Sequence, residues 1–315
     1  MSQNESTKPE EKVESPSVAA ADTAAEPPLS LEEEKHLANV VMLKRCLAEL
    51  IGTAVLVFVG CGAAVGLSMG GLGEGTLAHV SLAVGTALAF GLVVTALSYA
   101  LGEYSGCHVN PAVTFALYLN HKIGLRQMLC YWVAQLIGGL LGGALLLLFF
   151  GHGTGSVATT LASNSVNMTI LSSSWGLDTI PAAYSAQGWP FLFLGLGAEI
   201  LFTFAFVFTI LCTGHKKENG PVSGIALGLS LTAIVLLGFN ITGTGCNPAR
   251  SIGTAVMCMA NGEFEPIKEI WIFILGPMAG AALAVLAYRA IWHAHGASAP
   301  HHPHFNPFRK GGIRK

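Results

Sequence analysis

Along this chain, long apolar runs alternate with short polar breaks, and the runs are longer than the core of a soluble domain needs. Six stretches, near 42–67, 77–101, 127–150, 190–213, 221–240 and 269–292, each supply about twenty mostly apolar residues, the length that crosses a bilayer as a helix. Two shorter apolar segments, 110–119 and 247–258, cannot span. Each begins at the same tripeptide: Asn110-Pro111-Ala112, and Asn247-Pro248-Ala249 followed at once by Arg250. Asn is a good helix N-cap, and Pro fits the first helical position, where its missing N–H costs nothing. The pattern predicts two re-entrant half-helices, which a membrane tolerates only where they are buried or line a wet cavity. Their positive ends, with bare backbone donors, would repel cations and hold polar molecules at a common point. A pore is the first expectation.

Composition supports a membrane setting. The 315 residues are 52% apolar and only 11% charged, with 38 glycines, far from the balance of a soluble domain. Nine of the eighteen acidic residues lie before residue 35, in a leader rich in Pro, Ser, Ala and Glu that cannot bury a core. Residues 1–40 are therefore expected to be a disordered acidic tail, 41–293 a channel body and 294–315 a basic, His-containing tail. The net charge of -2 gives no reason to expect nucleic acid. The leader lacks a secretory h-region, so the first span is expected to serve as its own insertion signal.

Lys and Arg placement predicts orientation. Lys44, Arg45, Lys122, Arg126, Lys216, Lys217, Arg289, Arg309, Lys310, Arg314 and Lys315 all fall on one side of a six-span protein whose termini are both cytoplasmic. The 152–189 loop contains no Lys or Arg, and only Lys268 breaks the pattern. Asn167-Met168-Thr169 then lies outside as a candidate glycan site. Asn240-Ile241-Thr242 matches the same sequon but is expected to fold into the pore mouth.

The two halves repeat, as 41–151 and 190–293. Ala48-Glu49 in span one matches Ala198-Glu199 in span four. Trp132 and Trp271 precede the small-residue runs Gly139-x-x-x-Gly143 and Gly276-x-x-x-Gly280, which suit close helix packing. Three spans per half is an odd number, so the second copy is inserted upside down, an inverted repeat with broken helices meeting at the midplane. The expected fold is an all-α polytopic membrane protein of six transmembrane helices and two re-entrant half-helices.

The blocks Ser105-Gly106-Cys107-His108-Val109-Asn110-Pro111-Ala112-Val113-Thr114 and Gly243-Thr244-Gly245-Cys246-Asn247-Pro248-Ala249-Arg250-Ser251 resemble the two signature loops of the aquaporin family, the major intrinsic proteins. The resemblance runs through about 42–292. It implies a homotetramer of six-helix protomers, each with its own pore, passing water or small neutral solutes and excluding ions and protons. Asn110 and Asn247 would offer side-chain amide donors to the permeating molecule while their backbones cap the half-helices. Water held by both donors cannot pass on a proton, and the helix ends add an electrostatic barrier. Glu49 and Glu199 would brace the re-entrant loops as hydrogen-bond acceptors. His108 is similar to a family residue at the cytoplasmic mouth, where gating by pH competes with a packing role.

Counting back from the tripeptides as in the family, the outer constriction falls on Phe90, Val235, Thr244 and Arg250. An intramembrane Arg is a functional hypothesis by default, and its planar fork can donate to a solute while repelling cations. Water-selective members usually carry His where this chain has Val235. The shorter apolar residue widens that wall, so a solute with a carbon face, such as glycerol or urea, meets less penalty. Glycerol channels, however, usually follow the second Arg with Asp, and here it is Ser251. Ser251, Ala255 and Phe273 match the water subgroup, whereas Ile274 replaces its usual Trp. The expectation is a water channel with a relaxed filter, the alternatives being a glycerol or urea facilitator with low water flux, or a structural tetramer with a vestigial pore. An ion channel on the same scaffold is disfavoured by Arg250 and the positive helix ends.

Seven scattered cysteines form no CxxC pair, so neither a disulfide framework nor a metal site is expected. Cys246, beside Asn247, is a candidate site for mercurial block, against a plain packing role. His293, His295, His301, His302 and His304 sit in a tail where incidental His is the simpler reading. No nucleophile–base pair appears on the expected interior, and neither an enzyme nor a cofactor is expected. A plasma-membrane location is expected, without excluding an organelle.

Overall fold

The computed structural model describes residues 30–69, 75–151, 160–168, 171, 189–215 and 220–293. Among them are nine helices: α1 (Leu31–Met69), α2 (Thr76–Ser105), α3 (Pro111–Leu119), α4 (Leu125–Phe150), α5 (Trp189–Thr213), α6 (Gly220–Gly238), α7 (Pro248–Ala260), the short α8 (Glu265–Lys268) and α9 (Ile272–His293). Six are long and apolar enough to cross a membrane, and α3 and α7 are the two half-helices. The chain divides after Asn39. The described part of the first unit is Ser30 and the start of α1, and the second unit holds the remaining helices.

The first helix departs from the expected boundaries, because it begins at Leu31 rather than near 42. Residues 31–40 are therefore helical and not a disordered tail. The cause is local. Ser30 and Glu33 form a reciprocal capping box, with Glu33 N–H donating to Ser30 Oγ while Ser30 N–H and Oγ–H donate to Glu33 Oε2. Glu32, Glu33 and Glu34 also sit in the first turn, where the helix dipole favours negative charge. Residues 1–29, 294–315, the Lys216–Lys217 link and Thr169 lie outside the described residues.

Exposure runs opposite to that of a soluble bundle. On α1, Leu43, Leu47, Ile51, Val55 and Val59 recur every fourth residue and are all exposed. On α4, Leu125, Leu129, Val133, Ile137, Leu141 and Leu145 do the same. Residues four apart share a helix face, so these are continuous apolar stripes on the outer surface. Inside lie Glu49, Gln135, Glu199 and Arg250, all buried. Such a distribution suits lipid, where the solvent is apolar and polar groups are satisfied internally.

Packing repeats across the two halves. α2 packs on α6, α7 on α4 and α3 on α9. Glycines permit the closest approaches. A Cβ on Gly253 would stand 2.2 Å from the Gly139 carbonyl oxygen, and one on Gly91 would stand 2.6 Å from the Gly228 oxygen. Backbone therefore meets backbone where α4 crosses α7 and where α2 crosses α6. Gly280 likewise lies against the Ile200 carbonyl oxygen, which brings α9 onto α5.

Candidate functional site

Both half-helices start as their sequences dictate, with one correction to the chemistry. Asn110 and Asn247 are extended N-caps and Pro111 and Pro248 occupy the first helical turn. The cap is made by the side chain rather than by the backbone alone. Asn110 Oδ1 accepts from Ala112 N at 2.8 Å, and Asn247 Oδ1 accepts from Ala249 N and Arg250 N at 3.0 and 3.2 Å. The amide oxygen is thereby occupied, which points each Nδ2 away from its own helix. Asn110 Nδ2 donates to the Cys246 carbonyl and Asn247 Nδ2 to the Val109 carbonyl, both at 2.8 Å. Each amide nitrogen carries two hydrogens, so one remains for a molecule in the cavity.

The loops leading into the caps share one backbone pattern. Gly106, Cys107 and Val109 have φ of 90°, 49° and 43°, and Gly243, Thr244 and Cys246 have 70°, 53° and 52°. Four of these six carry a side chain, and the left-handed region costs such a residue roughly 1–2 kcal/mol. The strain is offset by two buried carboxylates. Glu49 Oε1 accepts from Ser105 Oγ and His108 N, and its Oε2 accepts from Val109 N and Gln135 Nε2, at 2.6–2.9 Å. Glu199 Oε1 accepts from Thr242 Oγ1 and Gly245 N, and its Oε2 accepts from Cys246 N, at 2.6–2.8 Å. Each carboxylate thus faces a hydroxyl and two loop N–H groups.

Ser105 and Thr242, Thr114 and Gln135 belong to this network and were not singled out in the sequence. The first two were legible, since each stands five residues before its Asn. Gln135 was not, because its link to Glu49 and to Thr114 Oγ1 spans separate helices.

A cavity of about 80 Å³ joins most of the expected site residues, with room for a short file of waters at roughly 10–15 Å³ each. Its walls include Phe90, His108, Asn110, Val235, Thr244, Cys246, Asn247 and Arg250, together with apolar Leu56, Val94, Val113, Phe206 and Leu231. Ala112, Ala249 and the two glutamates stand behind the wall. His108 Nδ1 lies 3.1 Å from Thr114 Oγ1, and its ring meets Tyr131 edge-on, so packing restrains it.

The four residues expected at the constriction line this cavity from α2, α6, the second loop and α7. Arg250 lies over the Phe90 ring, 5.6 Å from its centroid. Its Nη2 donates to the Ala162 carbonyl at 2.8 Å and its Nη1 to Asn164 Oδ1. Buried Arg250 Nε and Thr244 Oγ1 have no protein partner. Two unpartnered polar atoms therefore lie on residues that line the same cavity as the apolar Val235 and Phe90. Asn164 and Ala162 were missed in the sequence, and no local signal marks them. Asn167 is exposed, as a glycan acceptor must be, whereas Thr242 of the second sequon is buried against Glu199.

Comparison with known proteins agrees with this fold. The family model described as Major intrinsic protein matches residues 36–288. A protein named Aquaporin Z from Rhodopseudomonas palustris is 34% identical over 249 residues, covering 78% of this chain and 92% of its own length. Another Aquaporin Z, from Brucella melitensis, is 33% identical over 251 residues, covering 79% and 98%. Among solved structures, the aquaglyceroporin from Plasmodium falciparum superposes with a TM-score of 0.64 at 19% identity, covering 82% of this chain and all of that one.

Proposed function

This chain belongs to the major intrinsic protein family and is a multi-pass membrane channel for water or small solutes, not an enzyme; on that premise we propose that water is its principal permeant. Small neutral solutes pass by a relaxed filter, and ions and protons are excluded. The observation that carries this reading is the mixed constriction. Arg250 and Thr244, each with a buried polar atom that has no protein partner, line the cavity beside the apolar Val235 and Phe90. Water exchanges its bulk hydrogen bonds for these and for the spare hydrogens on Asn110 and Asn247. A polyol or urea rests its carbon face or flat face on Val235 and its polar edge on Arg250 and Thr244. The names of the relatives support the water reading, and that of the fold neighbour is compatible with solute passage.

Exclusion follows from charge and geometry. A cation meets Arg250 and two helix N-termini along the cavity, without carboxylate ligands, since Glu49 and Glu199 are spent on loop N–H groups. A water donated to by both asparagines keeps its lone pairs occupied and cannot relay a proton.

The protein assembles as a homotetramer in the plasma membrane with both termini in the cytoplasm. The exposed apolar stripes and the Lys and Arg placement support that arrangement. Stopped-flow light scattering on proteoliposomes tests the proposal. An impermeant osmolyte should drive shrinkage much faster than in empty vesicles, and inward glycerol and urea gradients should give measurable reswelling. Fast solute uptake with water flux at the lipid background would make it a solute facilitator. No flux of either kind would refute the channel reading for the protein in this state.

A further inference from the structure

The buried Arg250 guanidinium is held by one short segment far away in sequence. Its Nη2 donates to the carbonyl of Ala162 and its Nη1 to Asn164 Oδ1, while Nε has no protein partner. Leu161 and Ala162 both take positive φ, 47° and 51°, so the segment is bent to present that carbonyl. Asn164 is itself buried. Its Oδ1 also accepts from Ser251 Oγ at 2.8 Å, and its Nδ2 donates to the Thr242 carbonyl at 3.3 Å. Arginine can only donate and a carbonyl can only accept, so these neighbours allow one orientation of the amide.

We infer that Asn164 is the positioning residue of the filter: its amide oxygen, together with the Ala162 carbonyl, holds the Arg250 guanidinium back so that the cavity beside it stays open to a permeant. This rests on the channel reading above. Without that oxygen, Nη1 is a buried charged donor without a partner. The polar medium within its reach is the water of the cavity, and turning toward it carries a planar cation across the constriction. Water flux then falls, and solute flux falls further because a larger molecule needs the full opening. Ser251 supports the arrangement by sharing the same oxygen, and Thr242 ties the amide to the network around Glu199.

The test compares wild type, Asn164→Leu and Asn164→Asp in proteoliposomes of equal protein content, reading water and glycerol permeability. Leu keeps the branched outline of Asn, though it is bulkier, and has no acceptor, whereas Asp keeps the acceptor oxygens. We expect Asn164→Leu to lose about tenfold in water permeability and more in glycerol, with Asn164→Asp close to wild type. A merely structural role for the segment would not be rescued by Asp in this selective way. Equal permeabilities in Leu and wild type, or an equal loss in Leu and Asp, overturn the inference. If Asn164→Leu does not reach the vesicles, Asn164→Ser, too short to meet Nη1, carries the same expectation and the same power to overturn it. A wild type that conducts nothing overturns the channel reading instead, and this inference falls with it.

Discussion

Asn247 donates its Nδ2 hydrogen to the backbone carbonyl of Val109 at 2.8 Å, joining the cap of one half-helix to the loop of the other. The reciprocal bond, from Asn110 Nδ2 to the Cys246 carbonyl, makes the centre of the molecule a closed pair of cross-links between its two repeats. Position in the cavity and contact between the halves are thus the work of the same two side chains.

Asn247→Asp should separate these roles. A carboxylate still caps Ala249 N and Arg250 N, but it cannot donate to Val109 or to a permeant. We expect lower water permeability, loss of roughly 0.5–1.5 kcal/mol from the missing cross-loop bond, and weakened rejection of cations. Planar-bilayer conductance is the deciding readout. A variant as silent to cations as the wild type would mean that the asparagine dipoles contribute little to the barrier.

Val235 lines the cavity with an apolar side chain. Val235→His should narrow that wall and add a polar group. Glycerol and urea permeability should fall by about tenfold, with water permeability retained. Parallel osmotic and solute-gradient jumps on the same vesicles measure both. Unchanged solute flux would place the size limit elsewhere in the cavity.

Glu199→Gln should disturb the second loop strongly despite its small change in shape. One amide oxygen replaces two carboxylate oxygens, and an NH₂ group then faces Gly245 N, Cys246 N or the Thr242 hydroxyl. Leaving even one buried donor unsatisfied costs about 1–3 kcal/mol. We expect a lower unfolding temperature in detergent together with reduced water flux. Normal stability with normal flux would show that the loop holds its left-handed turns unaided.

Glu269 supplies a pH dependence that can be read outside the spanning helices. Its Oε2 accepts from Val166 N at 2.7 Å, anchoring the 160–168 segment, and burial pushes its carboxyl above the usual range. A raised carboxyl favours the protonated native state. Its contribution is therefore fully present below the ordinary carboxylate range and is lost as pH rises through the raised value. Glu269→Gln keeps an acceptor without the charge, so it should unfold at a higher temperature than wild type near neutrality and at a similar one near pH 4. Thermal unfolding across that range checks the sign. A variant less stable at neutral pH would mean that the Val166 bond requires the full charge.

The twice-used Asn-Pro-Ala determines much of the architecture by itself. Six runs of spanning length surround two helix starts that cannot span, so the half-helices follow from lengths, N-cap chemistry and the fixed φ of Pro. The inverted repeat follows from the odd number of spans per half. Those are properties of contiguous residues, and contiguous residues are what a sequence displays. The early start of α1 was written locally as well, in Ser30 and Glu33, but composition masks it because a capping box takes only two residues.

What the sequence did not contain is the partner of each buried polar group. Asn164 meets Arg250 across 86 positions, and Gln135 meets Glu49 across the same number. Gln135 stands out as a polar residue inside a span, but nothing near it or near Asn164 in the chain names the atom it meets. Tertiary packing decides these contacts, because a polar atom taken into the interior must be matched by whichever complementary atom the other helices bring within about 3 Å.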